Sequence, residues 1–355
     1  MKIQSSLLPE KSRKQKPTDV LKLSFGTVFT DHMFMMDYRN GNWLDPRVVP
    51  YGPLSIDPAA LVLHYCQGIF EGLKAYRRGD RVLLFRPEKN IERLNKSAAR
   101  MVMPTLDPGF ALDSLLKLVR IERDWVPQVP GSSLYIRPTL IGTEPKLGVK
   151  AANEYLYYVI LSPVGPYFPT GFGPVKIMVA DKHVRAAEGG VGAAKTMGNY
   201  AAGLLAGKEA AEAGCTQVLW LDAHERRYLE EVGTMNIAVK FDDEVATPPL
   251  SGTILPGITR ESVLHILRDW GLRVNEREIS IDEVIEGLGT GRVEEILGCG
   301  TAAIIAPVGS LYYKGVTYTV GDGNTGPLTQ RLYDELIGVQ SGEREDKYNW
   351  VVEVS

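Results

Sequence analysis

Cysteine is scarce in this chain of 355 residues: Cys66, Cys215 and Cys299 are odd in number, far apart and never spaced C-x-x-C. A disulfide framework is thereby excluded, and a zinc site has no ligand pattern to rest on. Histidine is also sparse, and His32, His64, His183, His224 and His265 form no H-x-H or H-x-x-x-H pair, so no metal is expected. Neither sign of charge dominates. The formal net charge of -3 gives no electrostatic case for nucleic acid or an acidic membrane surface. No apolar run is long enough to span a bilayer. The N-terminal MKIQSSLLPEKSRKQKPTDV lacks an apolar h-region and a cleavage site. A cytoplasmic protein with a flexible tail over residues 1–22 is expected.

What is present is an ordinary globular composition and a length beyond the roughly 250–300 residues at which a single core stops growing. Two domains are the expectation. HMFMMDY from His32 and RVLLFR from Arg81 alternate as strands, as do SLYIRPTLIG from Ser133 and EYLYYVILSP from Glu154. IERLNKSAARMVM from Ile91 and ALDSLLKLVRIERDW from Ala111 carry the helical period. The proline- and glycine-dense PVGPYFPTGFGP from Pro163 reads as a linker. Beyond it VKIMVA, QVLWLD and TMNIAVKF, as strands, alternate with the helical NYAAGLLAGKEAAEAG and TRESVLHILRDWG. The fold class is therefore mixed α/β (α+β) in two unequal parts: a smaller domain over 23–165, an interdomain loop over 166–176 and a larger domain over 177–355.

One stretch, GGVGAAKTMGNY from Gly189, poses a choice. Lys195 and Thr196 fit the end of a phosphate loop, and VLWLDAHE from Val218 offers Asp222 as a magnesium-holding acid. Against this, Ala194 stands where the second loop glycine belongs, and that glycine lets backbone amides wrap a phosphate. The other reading is a nucleophilic lysine that carries a cofactor covalently.

Four further stretches bear on the choice. LEEVGTMN brings Glu230 and Glu231 into an apolar strand, where one carboxylate would keep a pyridine nitrogen protonated. LPGITRES sets Gly257 before a helix start with Thr259 in its first turn, a seat for phosphate. GCGTAA from Gly298 is a turn whose amides form an anion nest. In YIRP, Tyr135 and Arg137 share one strand face, suited to a carboxylate. GLGTGR from Gly287 misses the dinucleotide fingerprint, with Arg292 in the last glycine slot.

The ordered segments FGTVFTDHM, LHYCQGIFEGLKAY, LFRPEKNIERL, LYIRPTLIGTEPKLGV, PVGPYFP, VRAAEGGVGAAKTMGNY, LEEVGTMNIAV, LSGTILPGITRES and GCGTAAIIAPV resemble the branched-chain amino acid aminotransferases, of the fold type IV, D-amino acid aminotransferase-like pyridoxal-phosphate enzymes. The likeness runs from about Leu23 to the C-terminus. It implies pyridoxal 5'-phosphate as cofactor, with Lys195 as the Schiff-base lysine and proton shuttle, Tyr200 supporting the ring oxygen and Glu231 on the ring nitrogen. Arg93, Thr234, Ile258 and Thr259 would surround the phosphate, with Arg185 and Thr301 also on the cofactor. The amides of Thr301 and Ala302 would take the substrate carboxylate. Phe25, Tyr65, Phe70, Tyr135, Arg137 and Tyr167 would line the side-chain pocket, and Leu147 and Val149 would reach into a partner's pocket, implying a homodimer. The implied substrates are branched-chain amino acids, 2-oxoglutarate and glutamate.

Departures exist. Ala193 and Ala194 replace an Asn-Tyr that many relatives carry, and Ala238 replaces an aromatic; these would alter ring packing and substrate range. A redox C-x-x-C of some mammalian relatives would fall at Ala303 and Ala306, and is absent. Other fold type IV enzymes, a D-amino acid transaminase or an aminodeoxychorismate lyase, would keep Lys195 and Glu231 but differ around the carboxylate.

Overall fold

A computed structural model describes residues 1–168 and 171–354. Two compact units are present: Met1–Tyr167 with Ala194–Met197 and Gly338–Ser355, and Phe168–Ala193 with Gly198–Ile337. Of the loop expected over 166–176, Pro169 and Thr170 lie outside the described residues.

The first unit is built on a mostly antiparallel sheet. Its order is Gln4–Ser5, Asn42–Pro50, His32–Arg39, Tyr155–Val164, Ser133–Gly142, Leu73–Arg78, Arg81–Phe85 and Val351–Glu353, with Gly68–Phe70 added to Ser133–Gly142. Helices Pro87–Arg100 and Pro108–Ile121 accompany it. Each has proline in its first turn, where the missing N–H is not needed, and Asp107 caps the second by accepting from Phe110 N at 2.7 Å. Ile91, Leu94 and Ala98 recur at helical spacing and are buried, as are Leu115 and Leu118; they share one core with Phe34, Met36, Ile136 and Tyr157. Each fully buried leucine contributes roughly 1.5–3 kcal/mol through burial.

Two segments expected with the larger domain belong to this unit instead. Val351–Glu353 pairs antiparallel with Arg81–Phe85, and Tyr76 donates to Gln340 at 2.8 Å. Thr196 bridges Ile69. These are long-range pairings, invisible to a boundary drawn from local proline and glycine density.

Residues 1–22, expected as a flexible tail, are tied down along the same unit. Gln4–Ser5 adds to Asn42–Pro50, Leu8 N donates to His32 Nε2 at 2.8 Å, and Lys14 N donates to Asp31 at 2.8 Å. His32 Nδ1 in turn meets Glu122, and both side chains are buried. Basic composition alone gave no view of these backbone donors finding buried acceptors.

The second unit holds a mixed sheet in the order Leu229–Val232, Gln217–Leu221, Val175–Val179, Ile304–Tyr313, Val293–Gly300 and Met235–Phe241. Because Leu229–Val232 also pairs with Met235–Phe241, these six strands close into a ring. Val245–Thr247 and Val274–Glu276 extend from Met235–Phe241, and Val316–Thr319 pairs with Ile304–Tyr313. Helices Leu204–Glu212, Ile258–Asp269 and Ile281–Thr290 belong to it.

Candidate active site

In the first unit, Lys195 is fixed through its backbone. Its N–H donates to Ser97 Oγ at 2.9 Å, its carbonyl accepts from Phe70 N at 3.1 Å, and Thr196 Oγ1 donates to Gly68 O at 2.8 Å. The short strand Gly68–Phe70 thus sets the lysine's height and direction, and its amine lies 5.0 Å from the centre of the Phe70 ring. Burial of the amine, with the Arg93 guanidinium adding to it, brings its pKa down to about 8; Glu71 and Tyr135 work in the opposite direction. A lysine so placed is neutral often enough at ordinary pH to act as a base or nucleophile.

Arg93 is held by Glu71 through two bonds, Nε to Oε1 at 2.7 Å and Nη2 to Oε2 at 2.9 Å. Asn90 Nδ2 also donates to Glu71 at 2.7 Å. Burial of Glu71 would raise its pKa, but Arg93 beside it holds the carboxyl below the ordinary carboxylate range. Sequence reasoning named Arg93 and passed over Glu71 and Asn90. The one available signal was an acid inside the apolar IFEGL.

Five of the expected pocket residues gather in this unit. The Arg137 guanidinium lies 4.5 Å from the Phe70 ring centre and donates to the Tyr135 hydroxyl at 2.9 Å. Phe25 meets Tyr135 edge-on at 4.8 Å and Tyr167 at 5.7 Å. Arg137 Nε is buried without a hydrogen-bond partner among the described residues. An aromatic cluster with a spare guanidinium donor suits a molecule that is apolar at one point and anionic at another. Tyr65 is engaged elsewhere, donating to Leu147 O, and both Leu147 and Val149 are largely exposed.

In the second unit, Glu231 is buried in the strand Leu229–Val232 and accepts from Leu255 N at 2.8 Å. Arg185 Nε lies 3.1 Å from Glu231 Oε2, an ion pair by distance although not aligned as a hydrogen bond. Arg185 also donates to the carbonyls of Thr253 and of Gly192, the latter at 3.3 Å. Thr253 and Gly192 were not read from the sequence. A Cβ on Gly192 would stand 2.2 Å from Thr253 O, so only glycine allows this approach.

Helix Ile258–Asp269 starts at Gly257 with no side-chain cap, and it carries Ile258 and Thr259 in its first turn. Asn236 Nδ2 donates to Leu255 O at 2.9 Å and holds the approach to that start. Thr301 and Ala302 lie in the tight turn joining Val293–Gly300 to Ile304–Tyr313, which closes with Ile304 at φ 65. A β-branched residue there is strained, by about 1–3 kcal/mol, as turns that present backbone to a ligand often are. Tyr200 lies in the short helix Gly198–Ala201, and Thr234 is exposed in the turn before Met235–Phe241. Ala238 is buried within that strand.

The phosphate-loop alternative fails on this geometry. Amides that would have to wrap an anion are bonded to protein: Gly190 N to Ala187 O at 3.0 Å, Ala193 N to Gly252 O at 3.1 Å, and Lys195 N to Ser97. Lys195 leads into a bridge with Gly68–Phe70 rather than into a helix. Asp222 is no magnesium ligand either, since its carboxylate accepts from the amides of His224, Glu225, Arg227 and Tyr228. It is the anchor of a turn. Among the described residues no group of three or more His, Cys, Asp or Glu side chains could hold a metal ion, and no helix is long and apolar enough to cross a membrane.

Residues 68–311 match the amino-transferase class IV family. The chain is 53% identical to branched-chain-amino-acid aminotransferase 2 of Bacillus subtilis (strain 168), over 97% of this chain and 95% of that protein. It is 47% identical to the branched-chain-amino-acid aminotransferase of Mycolicibacterium smegmatis, over 93% and 92% of the two chains. Among solved structures it is similar to the Escherichia coli branched-chain amino acid aminotransferase, with a TM-score of 0.76, 27% identity and coverage of 92% and 99%. It is also similar to the T.th. branched-chain amino acid aminotransferase complexed with N-(5'-phosphopyridoxyl)-L-glutamate, with a TM-score of 0.73, 26% identity and coverage of 90% and 98%.

Proposed function

Since the chain belongs to the amino-transferase class IV family, we propose that it is a branched-chain amino acid transaminase using pyridoxal 5'-phosphate. It transfers the amino group of L-leucine, L-isoleucine or L-valine reversibly to 2-oxoglutarate, giving the branched-chain 2-oxo acid and L-glutamate. The observation that carries this reading is Lys195, fixed through its backbone to Ser97 and Phe70 with its amine 5.0 Å from the centre of the Phe70 ring.

The residues present fit such a cofactor chemically. They include an amine for its aldehyde carbon, the buried carboxylate of Glu231 for its ring nitrogen, and the uncapped helix start at Gly257 with Ile258 and Thr259 for its phosphate. Arg93, Arg185, Tyr200, Thr234 and Thr301 complete the proposed set. When bound, pyridoxal phosphate supplies an electron sink for the pair released at the substrate Cα. Lys195 Nζ takes the proton from that Cα and returns it one position away, as base and then acid. Arg185, 3.1 Å from Glu231, pairs its positive charge with that carboxyl group. The amides of Thr301 and Ala302 receive the substrate carboxylate.

Phe25, Phe70, Tyr135 and Tyr167 offer apolar surface to the branched side chain, while Arg137 provides the polar capacity that 2-oxoglutarate needs. One site serving two substrates in turn gives ping-pong kinetics. The exposure of Leu147 and Val149 supports a homodimer in which they reach the partner's pocket, and a cytoplasmic location agrees with this chemistry.

An absorbance spectrum before and after borohydride, followed by peptide mapping, tests the reading. Visible absorbance lost on reduction, with the cofactor fixed to the peptide containing Lys195, is the expected result. A protein that no added pyridoxal phosphate can colour, or Lys195→Ala retaining transaminase activity, would overturn it.

A further inference from the structure

Helix Pro87–Arg100 buries two stripes of side chains. Ile91, Leu94 and Ala98 belong to the apolar core, and one residue round from them Asn90, Arg93 and Ser97 recur at i, i+3 and i+7 and are also buried. A polar stripe in such a place is unfavourable unless each member is bonded. Asn90 Nδ2 donates to Glu71 at 2.7 Å and to Gly72 O at 3.2 Å, Arg93 donates to Glu71 from two nitrogens, and Ser97 Oγ accepts from Lys195 N at 2.9 Å. A serine inside a helix commonly turns its hydroxyl to a carbonyl of the preceding turn. Here its oxygen serves a segment 98 positions away.

These bonds close into a circuit. From the Lys195 N–H it passes to Ser97, then along the helix axis by about 6 Å to Arg93. The ion pair leads on to Glu71, whose chain neighbour Phe70 donates its N–H to the Lys195 carbonyl at 3.1 Å. The N–H of Lys195 is thus pinned to a helix and its C=O to the strand Gly68–Phe70, so the Cα from which the side chain springs is held from both sides. Arg93, on the same helix face, is fixed by the same circuit.

We propose that Ser97 is a positioning residue for the Lys195 amine, acting through the Lys195 backbone rather than on substrate. The inference rests on the transaminase reading, in which one amine must reach two proton positions in turn. A displacement of about 1 Å can slow such a step on the order of 100-fold. Removing the Ser97 hydroxyl takes the acceptor from the Lys195 N–H and opens the circuit on one side.

Steady-state kinetics and hydrogen exchange of the purified protein test it together. Ser97→Ala is expected to lower kcat for leucine transamination roughly 10–100-fold, while KM for leucine and for 2-oxoglutarate stays within about 3-fold, because the aromatic cluster around Tyr135 is left intact. Ser97→Cys, close to serine in size but with a weaker acceptor, falls between the two. Exchange read at single-amide resolution does not depend on turnover: the Lys195 amide exchanges at least about 10-fold faster in Ser97→Ala, while amides of the strand Ser133–Gly142 keep their wild-type rates. A loss of stability with kcat unchanged, or wild-type exchange at Lys195, overturns the proposal. If Ser97→Ala fails to fold, Ser97→Cys carries the same test with a smaller drop, and wild-type kcat in that variant overturns it. A wild-type protein without transaminase activity overturns the transaminase reading itself, whereas an active wild type with an unaffected Ser97→Ala overturns this inference alone.

Discussion

A Cβ on Gly72 would stand 2.1 Å from the hydroxyl of Tyr135, so the absence of a side chain at position 72 is what lets Tyr135 lie where Arg137 can donate to it. Tyr135 is buried, and it is also the ring that Phe25 packs against.

Gly72→Ala is therefore expected to push Tyr135 off both neighbours. Overpacking of this kind costs about 1–3 kcal/mol. Urea denaturation should register that loss, and steady-state kinetics should show higher KM for both 2-oxoglutarate and leucine. Wild-type values in both assays would mean that the aromatic cluster does not position substrate.

Lys74 is buried in the strand Leu73–Arg78, and burial lowers its pKa to about 7 from 10.5. Between those values the unfolded chain holds the extra proton, so stability rises with pH across the window from about 7 to 10.5, while below 7 the penalty of the buried charge is present in full. Lys74→Met should flatten that rise and stabilise the protein at pH 7 by on the order of a few kcal/mol, at about 1.4 kcal/mol per pKa unit. Thermal melts of both proteins from pH 6.5 to 10 check it, and parallel curves would contradict it.

Arg185→Met removes one member of a buried ion pair and leaves the Glu231 carboxyl without that charge. Losses near 3–5 kcal/mol are usual for such a change. Arg185→Lys, which keeps the charge, should lose less, and cofactor retention on a desalting column should follow the same order. Equal stability of the two variants would show that the charge of Arg185 is not what matters.

His32→Ala deletes the acceptor of Leu8 N and the partner of Glu122. With a local loss of about 1–3 kcal/mol, trypsin should cut at Lys11, Arg13 and Lys14, Lys16 being blocked by Pro17, roughly 5–150-fold faster, as read by mass spectrometry. Cleavage at the wild-type rate would mean that the N-terminal segment is held by its other contacts.

The strands were legible because alternation declares itself: His32–Arg39 and Ser133–Gly142 stand where the pattern put them. The stretch NYAAGLLAGKEAAEAG, expected as one helix, breaks into Gly198–Ala201 and Leu204–Glu212. Gly203 lies between them beside Trp220, where a Cβ would be 3.3 Å from the indole. That close approach to a residue seventeen positions away leaves no trace in a helical period. The family pattern pointed to Lys195 and Glu231, but not to what holds them. Glu71 with Arg93, and Thr253 with Arg185, are partners joined by topology rather than by spacing. Asp222 misled because a turn anchor and a metal ligand share one signature, a carboxylate at the end of an apolar strand.

The ring of six strands also bears on how the molecule behaves in a crowded solution. A strand with no neighbour on one side offers its backbone to any passing chain, and long flat edges seed aggregation. Here Leu229–Val232, which would otherwise be the end of its sheet, is paired on both sides. The strands at the ends of the sheet paths are short: Gln4–Ser5 and Val351–Glu353 in the first unit, Val274–Glu276 in the second. Backbone templating is thereby blunted in both sheets. Association between copies is left to side-chain surfaces, which can be matched to one partner and refused to others.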